Sequence, residues 1–168
     1  NVALTSSVPG MLDNESPALA VGVKGVGLVW SMGAAGVHFV EFQLLGHDLT
    51  PVSATPIELT DGSTEAVSPT LTYNPGQGGA PGTYIVAWYD KSAAPKAIYA
   101  AVLSEDGELL VKPRAVTNPG AFRSRYPFLR SLGDRVIVLY ADDRDQNDGY
   151  ELYSRTVDTS LVPISAEQ

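Results

Sequence analysis

The residues with the clearest chemical potential lie in one acidic segment towards the end of the chain. It reads Asp142-Asp143-Arg144-Asp145-Gln146-Asn147-Asp148-Gly149. Carboxylate and amide oxygens this close together suit Ca²⁺, a hard cation that prefers many oxygen ligands. The candidate calcium ligands are Asp143, Asp145, Asn147 and Asp148, and calcium is the only cofactor that the sequence indicates. The alternative is a solvated hairpin loop in which Asp and Asn serve turn geometry.

An arginine-rich run precedes the acidic segment and includes Arg123 and Arg125. A guanidinium group offers paired donors to a carboxylate, on a sugar acid or on a partner protein. Pairing with nearby aspartates is the plainer interpretation and stays open beside it. The candidate ligand-binding residues are Asp90, Arg123, Arg125, Asp142 and Arg144.

Two further sets of side chains suit carbohydrate chemistry. Asp90, Asp142 and Glu151 could supply the pair of carboxylates that glycoside hydrolysis uses. Trp30, Trp88 and Tyr140 could stack on sugar rings, but they occupy equivalent positions of a repeat, which favours packing in a core. The sequence therefore predicts no catalytic residue.

All these residues lie within an internal sequence repeat. Pro17, Pro69 and Pro127 open three units and are 52 and 58 residues apart. An apolar run in each unit ends near Trp30, Trp88 or Tyr140, and a third run carries Phe39, Tyr99 or Tyr153. Residues 74–82 lengthen the middle unit and have the composition of a loop. Self-similarity at a fixed period indicates a repeat architecture.

Each unit reads as four short strands, because its apolar runs are rich in Val, Ile, Leu and aromatics and are bounded by Gly, Pro, Asn, Asp or Ser. Units of about 50 residues with four strands are typical of β-propeller blades, whereas a β-sandwich requires no such repetition. We expect a single all-β domain over 1–168. We expect this domain to be a β-propeller segment with three four-stranded antiparallel blades (16–66, 67–124 and 125–168) plus one extra N-terminal strand within 1–15.

The third unit carries the residues of a family resemblance. Leu139-Tyr140-Ala141-Asp142-Asp143-Arg144, followed by Asp148-Gly149-Tyr150-Glu151-Leu152-Tyr153-Ser154-Arg155, resembles a W-x-D-x-R … D-I-Y-x-x-R blade. Residues 97–107 resemble its third strand and the following turn. Such blades recur in secreted bacterial propellers of the broad sialidase-like superfamily, so the resemblance implies that fold and a secreted or cell-surface location. The sequence has no Asp-box (S-x-D-x-G-x-x-W), so the resemblance does not imply sialidase activity.

Charge and composition exclude several classes of partner. The formal net charge is −8, which opposes binding to a nucleic-acid backbone or an anionic membrane surface. Cysteine is absent, so thiolate catalysis and Cys-ligated zinc are excluded. No apolar stretch is long enough for membrane insertion.

The start of the chain and the number of units lead to an expectation about partners. The sequence begins with Asn1 rather than methionine, as expected of a processed product or a piece of something longer. Propellers have four or more blades, so three blades would leave open ends. We expect a homodimer or a second propeller fragment to complete the ring.

The predicted function is a non-catalytic module that binds carbohydrate or protein on its loop rim. The alternatives are a fragment of a secreted glycoside hydrolase, sialidase-like or other, and a purely architectural subunit of a larger complex.

Overall fold

The structure is a computed structural model that describes residues 13–34, 36–63, 65–91, 96–117, 124–144 and 149–168. These residues form eleven strands, and they include no helix that could cross a membrane. The strands form three antiparallel sheets, which confirms the all-β propeller segment. We call the sheets blades 1, 2 and 3.

The strands follow chain order within each blade. Blade 1 contains β1 (Asp13–Val21), β2 (Val26–Ala34), β3 (Val37–Leu45) and β4 (Ile57–Glu58). Blade 2 contains β5 (Ala66–Asn74), β6 (Thr83–Asp90), β7 (Ile98–Ser104) and β8 (Leu109–Ala115). Blade 3 contains β9 (Arg125–Ser131), β10 (Arg135–Asp142) and β11 (Glu151–Asp158).

The three prolines that open the repeat mark the same bulge in every blade. Ser16, Ser68 and Tyr126, each just before its proline, have φ of 51°, 51° and 52°. A non-glycine residue at positive φ is uncommon, and a bulge of this kind bends the strand and breaks its pairing. The register of the first two strands is interrupted opposite Trp30, Trp88 and Tyr140. These three aromatics are therefore structurally equivalent, as the repeat indicates.

The third strands depart from the sequence alignment at one place. Trp88 pairs with Tyr99 and Tyr140 pairs with Tyr153, but Trp30 pairs with Glu41. Phe39 lies two positions away, opposite Met32. Phe39 is thus displaced by two residues along its strand, relative to Tyr99 and Tyr153 in the other blades.

The blades pack side by side with their first strands adjacent. We call the side of a blade that is directed towards the next blade its front face, and the other side its back face. The front face of blade 1 and the back face of blade 2 share one apolar cluster, which includes Val29, Phe42, Val86 and Trp88. A second cluster joins blades 2 and 3. Each fully buried Val or Ile contributes about 2 kcal/mol relative to an exposed one.

Blade 3 has three strands and a partial fourth. Val157 forms a bridge with Pro163, and Ser154 exchanges two backbone hydrogen bonds with Gln168 at 2.8 and 3.0 Å. The segment 162–168 therefore runs along the outer edge of β11. The extra N-terminal strand expected within 1–15 lies mostly outside the described residues, and β1 begins at Asp13.

Candidate functional site

Loops from different blades meet at one end of the sheets. This end, which we call the rim, carries the loops between second and third strands and the connections between blades. Glu65 precedes β5 and forms an isolated backbone β-bridge with His38 of blade 1. Lys91 Nζ lies 2.8 Å from the carboxylate of Glu65. The rim therefore brings polar groups of neighbouring blades into contact.

A cleft opens at the rim between blades 1 and 2. It has a volume of about 320 Å³ and is lined by Leu59, Thr60, Asp61, Trp88, Asp90, Tyr99 and Pro113. The rings of Trp88 and Tyr99 stack, with centroids 6.4 Å apart and planes at 18°. Trp88 is buried, so Tyr99 is the more accessible ring of the pair. Blade 2 thus supplies an aromatic wall.

Two carboxylates from neighbouring blades line the same cleft. Asp61 follows β4 and accepts a hydrogen bond from the backbone N–H of Ser63 at 3.0 Å, and the hydrogen bonds from Ser63 lower its pKa. Asp90 ends β6 and is 4% exposed. Burial and the charge of Asp90 raise the pKa of Tyr99, so its phenol stays protonated and can donate. An aromatic wall with a few convergent polar groups is the usual make-up of a small-ligand site.

Blade 3 has an ionic cluster in the equivalent place. Arg144 Nε donates to Asp142 Oδ1 at 2.9 Å, and Arg144 Nη1 donates to Glu167 Oε2 at 2.9 Å. The guanidinium lies 3.9 Å from the ring centre of Tyr153. Burial alone would raise the pKa of Asp142, but hydrogen bonds from Arg144 and Ser124 bring it below its ordinary value. Asp142 and Arg144 therefore pair with each other.

The other predicted ligand-binding arginines have different surroundings. Arg125 lies between the rings of Tyr89 and Tyr150, at 5.7 and 5.0 Å from their centres. Arg123 lies outside the described residues. The structure thus brings Asp90 to the cleft and leaves the predicted binding role of both arginines as a prediction.

The calcium prediction falls mostly outside the described part of the chain. Asp143 is described, whereas Asp145, Asn147 and Asp148 are not. Where the chain is described, no three His, Asp or Glu side chains are grouped as metal ligands would be. Calcium binding stays a prediction.

The three carboxylates proposed for hydrolysis occupy two blades. Asp142 and Glu151 pair across β10 and β11, while Asp90 holds the position of Asp142 in blade 2. Sequence reasoning missed Asp61, which lines the same cleft as Asp90 but belongs to the preceding blade. Its only signal in the sequence is its place directly after Leu59-Thr60, the end of a unit.

Comparison with known proteins gives matches in structure alone. No family model matches the sequence, and no curated protein has a significantly similar sequence. An endo-arabinase from Bacteroides thetaiotaomicron VPI-5482 aligns with a TM-score of 0.59 and 15% identity over 92% of this chain and 62% of its own. The α-L-arabinofuranosidase Arb93A from Fusarium graminearum, solved in complex with an iminosugar inhibitor, aligns with a TM-score of 0.60 and 17% identity over 99% of this chain and 50% of its own.

This chain is a β-propeller segment. At these identities the likeness shows the fold alone, and the chain spans about half to three fifths of the two solved proteins. Both are propeller glycoside hydrolases, so the resemblance is supported at the level of that fold and not for sialidase-like blades in particular.

Proposed function

We propose that this chain recognises carbohydrate in the cleft between blades 1 and 2. The observation that carries the proposal is the lining of the cleft: the stacked pair Trp88 and Tyr99 beside the carboxylates Asp61 and Asp90. Aromatic faces pack on the apolar side of a sugar ring, while carboxylates accept hydrogen bonds from its hydroxyls. The fold shared with two arabinose-directed glycosidases adds support by analogy. A secreted or cell-surface location, where polysaccharides occur, belongs to the same proposal.

Calorimetric titration with a panel of oligosaccharides, beginning with arabino-oligosaccharides, tests the proposal. Tyr99→Ala should weaken binding about tenfold, the effect of losing one aromatic contact. Tyr153→Ala is the matched control, because Arg144 already covers the equivalent ring in blade 3. No binding by the wild-type chain, or equal losses in the two variants, would overturn the proposal.

Hydrolysis is the second candidate function, and Asp61 and Asp90 favour it because two carboxylates from neighbouring blades line one cleft. Glycosidases place one carboxylic acid and one carboxylate on either side of the scissile bond. Chromogenic arabinofuranosides provide the test, read as released chromophore. Turnover that Asp90→Asn abolishes would establish hydrolysis, and binding without turnover would leave recognition as the function.

A further inference from the structure

The end of the sheets opposite the rim, which we call the base, holds a second cavity between blades 2 and 3. Its volume is about 370 Å³, compared with about 320 Å³ for the rim cleft. Blade 2 lines it with residues that include Asn74, Thr83 and Val102, and blade 3 with residues that include Gly133 and Thr159. Asn74 Nδ2 donates to the backbone oxygen of Gly133 at 2.9 Å, so the two walls of the cavity are held together.

Between blades 1 and 2, the base is occupied by the ring of Tyr73. The hydroxyl of Tyr73 donates to the carboxylate of Glu105, and its ring centre lies 5.2 Å from that of Tyr84. Gly22 of blade 1 lies directly against this ring, since a Cβ there would be 2.9 Å from Tyr73 Cε2. The repeat therefore places a phenol here, with its hydroxyl bonded to a base residue.

Strand register identifies the residues that hold the same positions between blades 2 and 3. Tyr73 pairs with Tyr84 as Ser131 pairs with Val136, so Ser131 has the position of Tyr73. The same alignment makes three further pairs of base residues equivalent: Gly22 and Asn74, Gly25 and Thr83, Glu105 and Thr159. The second member of each pair lines the cavity. The cavity therefore lies where Tyr73 lies in the other interface.

The position of Tyr84 shows how a change of side-chain size can be offset. Tyr84 packs against Gly27, where a Cβ would lie 2.8 Å from Tyr84 Cδ1. The same two positions between blades 2 and 3 hold Val136 and Ile85, both fully buried. A smaller residue on one wall is thus matched by a larger one on the other, and this part of the interface stays filled.

The exchange of Tyr73 for Ser131 leaves space instead. Asn74 is larger than Gly22, but its amide is bonded to Gly133 and the cavity remains beside it. Ser131 Oγ is buried and has no hydrogen-bond partner in the described part of the chain. A shorter residue with an unsatisfied hydroxyl thus holds the position that a phenol holds in the other interface.

We propose that the base cavity binds a small neutral phenol. The ring of the ligand packs on the apolar lining from Val102 and Val111, as the ring of Tyr73 packs against the cluster between blades 1 and 2. The hydroxyl of the ligand bonds to Thr159, which can donate and accept, at the place where Tyr73 bonds to Glu105.

The charges of the lining favour a neutral ligand. Asp134 lines the cavity, and Arg135 Nε lies 2.9 Å from its carboxylate, so the two charges balance. The base cavity and the rim cleft are at opposite ends of the sheets, so the inference is independent of the proposed carbohydrate recognition.

Titration of a ¹⁵N-labelled sample with p-cresol and with toluene tests the inference. The titration is run at neutral pH, where a phenol is protonated. The backbone amide signals of Gly133 and Thr159 should shift with p-cresol and saturate. Toluene has the same ring without the hydroxyl and should bind about tenfold more weakly, the effect of one lost hydrogen bond.

Two variants and a control locate the binding. Ser131→Tyr restores the ring found in the other interface and should remove the binding of p-cresol. Thr159→Val keeps the shape of a half-buried side chain without its hydroxyl, so p-cresol and toluene should bind it equally. This second variant decides the question if Ser131→Tyr does not fold. Ser63→Tyr, at an exposed serine outside the cavity, should bind p-cresol as the wild type does.

Several results would overturn the inference. They are a wild-type chain whose Gly133 and Thr159 signals do not shift, equal binding of p-cresol and toluene by the wild type, and unchanged binding by a folded Ser131→Tyr variant. Glucose that shifts the same signals at the same concentration as p-cresol would overturn the assignment to a phenol. None of these results bears on carbohydrate binding in the rim cleft.

Discussion

The guanidinium of Arg144 lies 3.9 Å from the ring centre of Tyr153, and the equivalent ring of blade 2, Tyr99, lines the cleft. The same repeat position therefore carries an ion pair in blade 3 and lines a cleft in blade 2. The cleft in blade 2 is the candidate site.

Replacing Arg144 by methionine should destabilise the fold markedly. Asp142 and Glu167 are 2% and 4% exposed at the side chain; Asp142 would lose its cation, and Glu167 would keep only Arg155 Nη1 at 3.5 Å. Removal of one partner from a buried pair costs about 3 kcal/mol. Urea denaturation measures the loss. Arg135→Met is the control, because Arg135 and Asp134 form an exposed pair, and it should show no measurable change. Equal losses in both variants would contradict the structural role of Arg144.

Glu41 should make stability depend on pH. Burial and the nearby Glu58 raise its pKa, so the folded chain holds this proton more tightly than the unfolded chain does. The stabilising contribution is present below the ordinary glutamate pKa and is lost as pH rises through the raised value. Glu41→Gln should therefore melt at a higher temperature than wild type near neutral pH, and the difference should vanish on acidification.

Thermal melts across that pH range provide the measurement for Glu41. Glu108→Gln removes the same charge from an exposed position and should show no such pH-dependent gain. A Glu41→Gln variant less stable than wild type at neutral pH would refute the prediction.

Gly27 should not tolerate a side chain. It holds the register position of Ile85 and Ile137, but a Cβ there would lie 2.8 Å from Tyr84 Cδ1 and 2.9 Å from Phe42 Cε2. Overpacking of this kind costs about 1–3 kcal/mol. Gly27→Ala should lose stability in urea denaturation, whereas Gly149→Ala, with open space around its Cβ, should not. Unchanged stability in Gly27→Ala would show that Tyr84 can move aside.

The three-unit repeat could be predicted from the prolines and aromatic residues of the sequence. Each proline fixes its own φ and follows a bulged residue, and the aromatic opposite the bulge is buried in all three blades. The spacing of Pro17 to Trp30 and of Pro127 to Tyr140 therefore reflects one conserved geometry within the chain. The pairing of Trp30 with Glu41 could not be predicted, because register is set by burial and loop geometry rather than by the nearest aromatic.

The candidate site was only partly predictable for the same reason. Asp90 belongs to the repeat, but Asp61 reaches the cleft from another blade, and the spacing between blades is absent from the sequence pattern. Arg144 resembled a ligand-binding residue because its partner Glu167 lies 23 positions later in the chain.

The two tryptophans provide the most direct test of the cleft. Trp88 lines the cleft, whereas Trp30 belongs to the apolar cluster of blade 1, so the indole N–H region of a ¹⁵N-labelled sample contains one signal from each. A Trp30→Phe variant assigns them. On titration with the tightest-binding oligosaccharide, we expect the Trp88 signal to shift in proportion to occupancy while the Trp30 signal stays in place. Saturable binding that leaves the Trp88 signal unmoved would contradict the account.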